Sequence, residues 1–285
     1  MCGIIAIHGP QEDEWAINAN NTMQHRGPDD SGIFRDKEAS LSLAMRRLSI
    51  IDIKDGAQPM STRNGENVII FNGEIYNAGE LRKELEGKGA KFLSHHSDTE
   101  VLLKLYQEEG KDMLHKLNGM FSFVIYNTRN KELFCARDRV GIKPFYYAMS
   151  SGRFVIASEL KSILRLPFIN PDVNIKSIYR YMSLMYIPGV ETCIKKILRL
   201  PAGHSLSYSL QNKNIEIKRW WRPIFSNYAD CSKENLQEAI QEKLKTSVQR
   251  WSVSDVPIGC SLSGGLDSSS IVACLTASGK RVETY

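Results

Sequence analysis

The second residue of the chain, Cys2 in MCGIIAIHG, could supply both a nucleophile and a base once Met1 is removed. A thiol titrates near ~8.5 and attacks carbonyl groups as the thiolate, so it benefits from a base that works near neutral pH. An α-amino group, with a pKa of about 7.7 to 8.0, is such a base. A processed chain would carry both groups on one residue. The alternative is an inert thiol buried in a first strand.

A second stretch with chemical potential is SGGLDSS at 263–269. It follows the apolar run DVPIGCSL and precedes the helical stretch SSIVACLTASG, as in a strand, loop and helix unit of a parallel sheet. Free backbone N–H groups at such a helix start, together with serine hydroxyls, favour phosphate. The lysine of a Walker A loop is absent. The alternative is an ordinary turn with glycine for backbone freedom and serine as a cap.

Composition indicates a globular protein and excludes several classes. The chain has 285 residues, of which 42% are hydrophobic and 24% charged. It has no apolar run of membrane-span length and no signal peptide, so we expect a cytoplasmic protein without a membrane partner. Its net charge of +5 is scattered in small clusters, which argues against a nucleic-acid partner. Six cysteines without a CxxC motif favour neither disulfides nor a zinc site.

The elements that must position these residues change character along the chain. Up to about residue 210, short β-branched and aromatic runs alternate with helical stretches, which predicts a mixed domain with mostly antiparallel strands. In SDTEVLLKLYQEEG, Ser97 and Glu100 have capping-box spacing and Gly110 is a stop signal. We predict a first domain at 1–212, a linker at 213–232 and a second domain at 233–285. Since a parallel sheet needs more strands, we expect a fragment of a longer protein.

A series of ordered motifs resembles one family along the whole chain. SGGLDSS resembles the pyrophosphate loop of ATP pyrophosphatases, and with MCGI at the N-terminus the chain resembles glutamine-hydrolysing asparagine synthetases. The other motifs are HRGPDDSG (25–32), RRLSIID (46–52), FNGEIYN (71–77), SDTE (97–100), ARDRVGIKPFYY (136–147), ASELKSIL (157–164) and LPAGH (200–204). The resemblance implies an α+β fold: an N-terminal-nucleophile αββα sandwich, followed by the start of an α/β parallel-sheet ATP pyrophosphatase domain.

The resemblance also implies a reaction. Glutamine is hydrolysed at Cys2, and the ammonia reaches an aspartate that ATP has activated as β-aspartyl-AMP. The products are asparagine, glutamate, AMP and pyrophosphate. Glutamine, aspartate and ATP are the implied partners, Mg²⁺ accompanies ATP, no prosthetic group is expected, and a homodimer is possible.

Asn72 and Gly73 have two interpretations. Asn-Gly between apolar runs is a strong hairpin signal, with Gly73 tolerating positive φ. The family instead uses the Asn side chain and the Gly N–H as an oxyanion hole. A tight turn could present the N–H rigidly, so the sequence permits both.

Other glutamine-binding residues come from the resemblance. Asp98 alone would be a helix-start residue, but the family makes Asp98 and Glu74 anchors for the substrate ammonium. Arg47 could be surface charge, whereas in the family it grips the α-carboxylate and its neighbour Arg46 is solvated. The pocket is expected to include the backbone of Leu48, Ile50 and Ile51.

The implied ATP site is the loop, with Asp267 as a magnesium ligand. Its residues are Leu262, Ser263, Gly264, Gly265, Leu266, Asp267, Ser268 and Ser269. The alternative for Asp267 is a helix-start carboxylate. His25, His95 and His96 lack ligand spacing and are taken as structural or exposed.

Two other functions stay open. Relatives with the same two domains form β-lactams or cyclise peptides, but they typically lack the N-terminal cysteine. A truncated module could also keep only glutaminase or binding activity.

Overall fold

The computed structural model describes residues 1–225, 232–279 and 281–285. The chain forms two compact units. The first contains Met1–Ser49 and Lys54–Arg222, and the second contains Ile50–Ile53 and Pro223–Tyr285.

The first unit is built from strands that form two six-stranded sheets. In chain order the strands are β1 (Gly3–His8), β2 (Asp30–Asp36), β3 (Leu41–Arg47), β4 (Met60–Ser61), β5 (Asn67–Ile75), β6 (Gly119–Asn127), β7 (Glu132–Arg137), β8 (Tyr146–Ser150), β9 (Arg153–Ala157), β10 (Ile197–Arg199), β11 (His204–Ser209) and β12 (Ile215–Arg219). One sheet has the order β10-β8-β9-β1-β3-β2 and the other β12-β11-β7-β6-β5-β4. The strand pairs within both sheets are antiparallel.

This unit also contains several helices. They are α1 (Asp13–Asn21), α2 (Ala78–Gly87), α3 (Asp98–Glu109), α4 (Leu160–Leu164) and α5 (Ile175–Leu184), and a 3₁₀ helix spans Gly110–His115. One outer cluster joins α1 and α4 to the sheet of β1, and another joins α2 and α3 to the sheet of β5.

A third cluster fills the space between the two sheets. Ile4 and Ala6 of β1 meet Val68 and Ile70 of β5 there, while Ile5 and the other alternate residues face the helices. This alternation follows from the two-residue period of a strand. The four layers confirm the predicted αββα sandwich.

The predicted capping box at α3 is wrong. Ser97 occupies the N-cap position but makes no side-chain cap bond. The Glu100 carboxylate instead accepts the N–H of Leu93 at 2.8 Å and the N–H of Ser94 at 2.7 Å. The Glu100 carboxylate therefore binds the loop that precedes α3, and not the N-cap residue to which the spacing assigned it. Gly110 does end the helix, with φ +60°.

The second unit contains α6 (Lys233–Trp251), β13 (Gly259–Cys260), α7 (Leu266–Ala277) and β14 (Glu283–Thr284). The strands β13 and β14 pair in parallel, as predicted, but β13 is shorter than the apolar run DVPIGCSL. On α6 only Val248 is buried; Leu236, Ile240 and Leu244 of the predicted apolar stripe are exposed.

The region assigned to a linker, 213–232, contains β12, which pairs with β11 at a sheet edge. Residues 226–231, including Cys231, lie outside the described residues. Cys2, Cys135, Cys193, Cys260 and Cys274 are free, and Cys135 is buried. No helix in the described part of the chain has the length and apolar composition that a membrane span requires.

Candidate functional site

Cys2 lies immediately before β1, at one end of the layer between the sheets. It is half-buried and packs against the inter-sheet core. Its thiol faces the carbonyl oxygen of Leu48 at 3.9 Å. Burial raises the pKa of the Cys2 thiol, although the Leu48 carbonyl contact, the N-terminal amine and Arg47 oppose the shift. A thiol in this setting needs a nearby base to become a nucleophile near neutral pH.

The segment HRGP holds the backbone of Cys2 in place. The Arg26 Nε donates to the Cys2 carbonyl oxygen at 2.8 Å, and its Nη1 donates to Glu159 at 3.1 Å. Gly27 is required by close packing, since a Cβ there would lie 2.4 Å from the Arg46 carbonyl carbon. Sequence reasoning assigned no role to Arg26, because its partners are distant along the chain.

Arg47 and Arg46 point to opposite faces of β3. Arg47 is buried and, like Met45, belongs to the inward-facing set. Arg46 is half-buried on the outer face and donates a hydrogen bond to Asn21 of α1. The buried residue is thus the one expected at the glutamine site, while Arg46 is less solvated than expected.

Asn72 is fully buried in β5, on the face that carries Val68 and Ile70. Neither its Nδ2 nor its Oδ1 has a hydrogen-bond partner among the described residues. Opposite it on β6, the hydroxyl of Ser122 is also buried without a partner. A buried amide without partners is costly to keep, so it is a prime candidate for a substrate contact.

The hairpin interpretation of Asn72-Gly73 is wrong. Both residues lie inside β5, paired with Ser122 and Phe121 of β6, and Gly73 does not have positive φ. Glycine is needed for a different reason: a Cβ at Gly73 would lie 2.2 Å from the Met120 carbonyl oxygen. Close approach of two backbones, and not a turn, selects this residue.

Glu74 and Asp98 form an acidic pair beyond Asn72. Asp98 is the first residue of α3, and its Oδ2 accepts the N–H of Ile75 at 3.1 Å. The pKa of Asp98 is raised to about 7, mainly by burial; the hydrogen bond from Ile75 opposes the rise, and the charge of Glu74 adds to it. Burial also raises the pKa of Glu74. A cation beside them would favour the deprotonated form of both carboxyl groups, which suits an ammonium ligand.

The three residues whose backbone the resemblance assigned to the glutamine pocket belong to different units. Leu48 lies in the first unit and meets the Cys2 thiol. Ile50 and Ile51 belong to the second unit, where the Ile50 carbonyl oxygen accepts the N–H of Asp255 at 3.0 Å. A glutamine-binding role for Ile50 and Ile51 stays a prediction.

A rigid loop between β7 and β8 brings Lys143, which sequence reasoning missed, to the same layer. Lys143 is buried, and its ammonium interacts electrostatically with Glu74 and Cys2. The motif ARDRVGIKPFYY carried the family resemblance, but nothing in its spacing showed that this lysine is buried.

The loop at 262–269 lies in the second unit at the start of α7. Gly264 has φ +79°, and the N-cap Gly265 forms no side-chain cap bond. The Ser268 hydroxyl donates to the Gly265 carbonyl oxygen at 3.2 Å and lies 3.1 Å from that of Ser263. The first-turn N–H groups have no helical partner, as at any helix start, and are available to an anion. Leu262 and Leu266 belong to this loop and are exposed.

The donor set around Asp267 fits magnesium bound together with a nucleotide. Asp267 is exposed in the first turn of α7 and makes no hydrogen bond or ion pair with another described residue. Magnesium is typically held by one or two carboxylates together with phosphate oxygens and water.

His25, His95 and His96, predicted from the sequence to be structural or exposed, all lie at the surface. His25 is exposed and lies 3.0 Å from a Glu159 oxygen. His95 and His96 are exposed in the loop before α3.

Comparison with known proteins finds two families. Residues 1–221 match a glutamine amidotransferase domain, and residues 239–285 match asparagine synthase. The chain is 35% identical to asparagine synthetase [glutamine-hydrolyzing] 1 of Bacillus subtilis, over 96% of this chain and 43% of that protein. It is 34% identical to the asparagine synthetase [glutamine-hydrolyzing] of Sandersonia aurantiaca, over 97% and 47%. The chain thus spans about half the length of these relatives.

A solved structure supports the fold. The glutamine phosphoribosylpyrophosphate amidotransferase of B. subtilis superposes with a TM-score of 0.56 at 18% identity, covering 99% of this chain and 65% of that one. This likeness confirms the N-terminal-nucleophile fold class. Because the amidotransferase match spans most of the chain, the protein belongs to the glutamine amidotransferase domain family, with an asparagine synthase domain beginning towards its C-terminus.

Proposed function

We propose that the first unit hydrolyses glutamine at Cys2 and releases ammonia for asparagine synthesis. The observation that carries this proposal is the buried Asn72 amide. It has no partner among the described residues and faces the same inter-sheet layer as Cys2. A structural asparagine would satisfy its hydrogen bonds within the fold, whereas an oxyanion hole must keep a donor available.

The reaction begins after Met1 has been removed. The α-amine of Cys2 accepts the thiol proton, and Sγ attacks the side-chain amide carbon of glutamine. The Asn72 Nδ2 and the Gly73 N–H stabilise the tetrahedral oxyanion. The amine then returns its proton to the leaving nitrogen, ammonia departs, and a thioester remains. Water attacks the thioester and releases glutamate, with the proton going back to the thiol.

The charged residues orient the substrate. Arg47 binds the α-carboxylate through its planar guanidinium, while Glu74 and Asp98 bind the α-ammonium. Leu48 contributes to the pocket through its backbone, and the same role for Ile50 and Ile51, which belong to the second unit, stays a prediction. These assignments rest on the burial of Arg47 and Asp98 and on the family match.

The second part of the reaction belongs to the asparagine synthase domain. The loop at 262–269 would bind the pyrophosphate of ATP, and Asp267 would hold Mg²⁺, which would neutralise phosphate charge. Aspartate is the acceptor, activated as β-aspartyl-AMP, and ammonia converts it to asparagine. We propose the boundaries 1–212, 213–232 and 233–285 for the amidotransferase domain, the linker and the synthetase part. A homodimer stays a prediction.

An acceptor other than aspartate is the second candidate. The β-lactam-forming and peptide-cyclising relatives use the adenylate without free ammonia and typically lack an N-terminal cysteine. Cys2 and the unpartnered Asn72 amide therefore favour asparagine.

The test is glutamate release by the chain after mass spectrometry has confirmed the loss of Met1. The matched variants are Cys2→Ala and Cys193→Ala, since Cys193 is also half-buried and free. We expect activity in the wild type and in Cys193→Ala, and none in Cys2→Ala. Glutamine hydrolysis that survives in Cys2→Ala would refute the assignment.

A further inference from the structure

Lys143 has an unusual environment for a lysine. The side chain is 4% exposed, yet its ammonium makes no hydrogen bond or ion pair with any described residue. Burying an ammonium without direct partners is costly, and lysines are rarely found fully buried. The free-energy cost of burying the ammonium is normally offset by nearby opposite charges, and a residue that bears this cost commonly has a function.

The loop that carries Lys143 is fixed by its two preceding anchor residues. The Arg137 Nε donates to the Lys143 carbonyl oxygen at 2.7 Å, and its Nη2 donates to the Gly141 carbonyl oxygen at 2.7 Å. The fully buried Asp138 accepts the Lys143 N–H at 2.9 Å and the Ile142 N–H at 2.8 Å. The backbone of Lys143 is therefore held on both sides.

The same anchors connect the loop to the sheets. The Asp138 carboxylate accepts the N–H of Phe121 on β6 at 3.2 Å, and the Arg137 Nη1 donates to the Leu200 carbonyl oxygen at 2.7 Å. The Lys143 backbone thus has a fixed position, as expected for a residue that supports a site.

The ammonium interacts with the groups that the proposed reaction uses. Among charged groups, Glu74 has the largest effect on the pKa of Lys143, and Cys2 has the second largest. Lys143 also lowers the pKa of Glu74, against a larger effect of burial, and the pKa of the Met1 α-amine, beside a larger effect of burial. Removal of Met1 makes the Cys2 α-amine the N-terminal amine. The other charged groups that act on this cluster are Arg26 and Asp29 beside the amine, Arg47 on β3, Asp98 on α3, and Asp138 in the loop.

We propose that Lys143 is a positioning residue of the glutamine site, whose buried ammonium stabilises the deprotonated forms of Glu74, the Cys2 thiol and the N-terminal amine. This inference rests on the proposed function for its catalytic consequence. All three groups act without their proton: Glu74 binds an ammonium, the thiolate attacks, and the amine serves as the base. A fixed positive charge favours the deprotonated form of each.

The sign of the expected effect is therefore the same for all three groups. Removing the charge raises each pKa, so the acidic limb of the activity profile moves to higher pH. We expect Lys143→Met to shift it by roughly half a pH unit or more. Lys143→Arg should restore the wild-type profile, because it keeps the charge. Lys37→Met, at an exposed lysine, is the control and should not shift it.

Two measurements test the proposal, and the first of them does not depend on turnover. The first is the rate of Cys2 alkylation by iodoacetamide against pH, with the adduct mapped by mass spectrometry; the second is kcat/KM for glutamate release against pH. Thermal unfolding checks each variant, and Lys143→Gln replaces Lys143→Met if the latter does not fold. An upward shift of the alkylation profile in the neutral variants, reversed in Lys143→Arg, supports the proposal.

Unchanged profiles in a folded Lys143→Met or Lys143→Gln protein would overturn the proposal. So would a shift in Lys143→Arg equal to that in the neutral variants, since it would reflect packing and not charge. If no protein releases glutamate, including the wild type, the proposed function fails. The alkylation profile still decides the role of Lys143.

Discussion

The Asp98 carboxylate accepts the backbone N–H of Ile75 at 3.1 Å, which joins the first turn of α3 to the last residue of β5. This bond places a buried acid directly beyond the strand that carries Asn72 and Gly73. Because burial raises the pKa of Asp98 to about 7, the acid is poised to ionise near neutral pH when a cation arrives.

The first prediction concerns stability against pH. The unfolded pKa of Asp98 is 3.8 and the folded pKa is higher, so its stabilising contribution is fully present below pH 4 and is lost as pH rises through about 7. Asp98→Asn cannot ionise. The unfolding free energy of Asp98→Asn minus that of the wild type should therefore rise by on the order of 1 kcal/mol or more between pH 5 and pH 8.

Urea denaturation at several pH values measures this difference. Asp112→Asn, at an exposed acid in the 3₁₀ helix, is the control and should show no such trend. A constant difference between Asp98→Asn and wild type across the pH range would contradict the assignment.

The second prediction concerns Asn72. If its Nδ2 stabilises the oxyanion, Asn72→Ala should lower kcat for glutamate release by about 10² to 10³-fold and leave KM within a few-fold. Ser122→Ala is the matched control, because Ser122 is the buried cross-strand neighbour and its hydroxyl also has no described partner. It should retain activity and fold as well as wild type, since only an unpartnered polar atom is removed. Equal kcat in Asn72→Ala and wild type would exclude the oxyanion role.

The third prediction concerns Gly73. A methyl group at this position would meet backbone, 2.2 Å from the Met120 carbonyl oxygen and 2.8 Å from the Phe121 Cα. Gly73→Ala should therefore lower the unfolding free energy by about 1 to 3 kcal/mol or more. Gly79→Ala provides the contrast: Gly79 lies in α2, and an added Cβ meets nothing within 4 Å. That variant should gain roughly 0.5 to 1 kcal/mol. Equal melting temperatures for the two variants would contradict the packing argument.

The parts of the fold that the sequence predicted depend on local periodicity. The buried Val101, Leu102 and Leu105 of α3 follow from their spacing, and Gly110 ends the helix where the pattern stops. The parallel pairing of β13 and β14 also follows from the strand, loop and helix pattern. Cys2 could be singled out because its chemistry depends only on its place beside the initiator methionine.

The failures all involve partners that lie outside the motif from which the prediction was made. The hairpin at Asn72-Gly73 is a sound local inference, but pairing with Ser122 and Phe121 draws both residues into a strand. Glu100 matches the capping box, but the loop at Leu93 and Ser94 takes its carboxylate. Spacing within a motif cannot reveal such competition, because the competing donor is set by tertiary packing.

Lys143 shows the same limit at the site itself. Its backbone is fixed by Arg137 and Asp138, which are in turn fixed by Phe121 and Leu200. Only the assembled sheets show that this lysine is buried near Glu74.

The most direct test of the central claim, that Cys2 is the nucleophile of a glutamine site, is covalent trapping. Protein that has lost Met1 is incubated with an electrophilic glutamine analogue, and the adduct is mapped by mass spectrometry. The account predicts a single adduct on Cys2, formed more slowly when glutamine competes, and no adduct in Cys2→Ala. An adduct elsewhere, or labelling of Cys2 that glutamine does not slow, would contradict it.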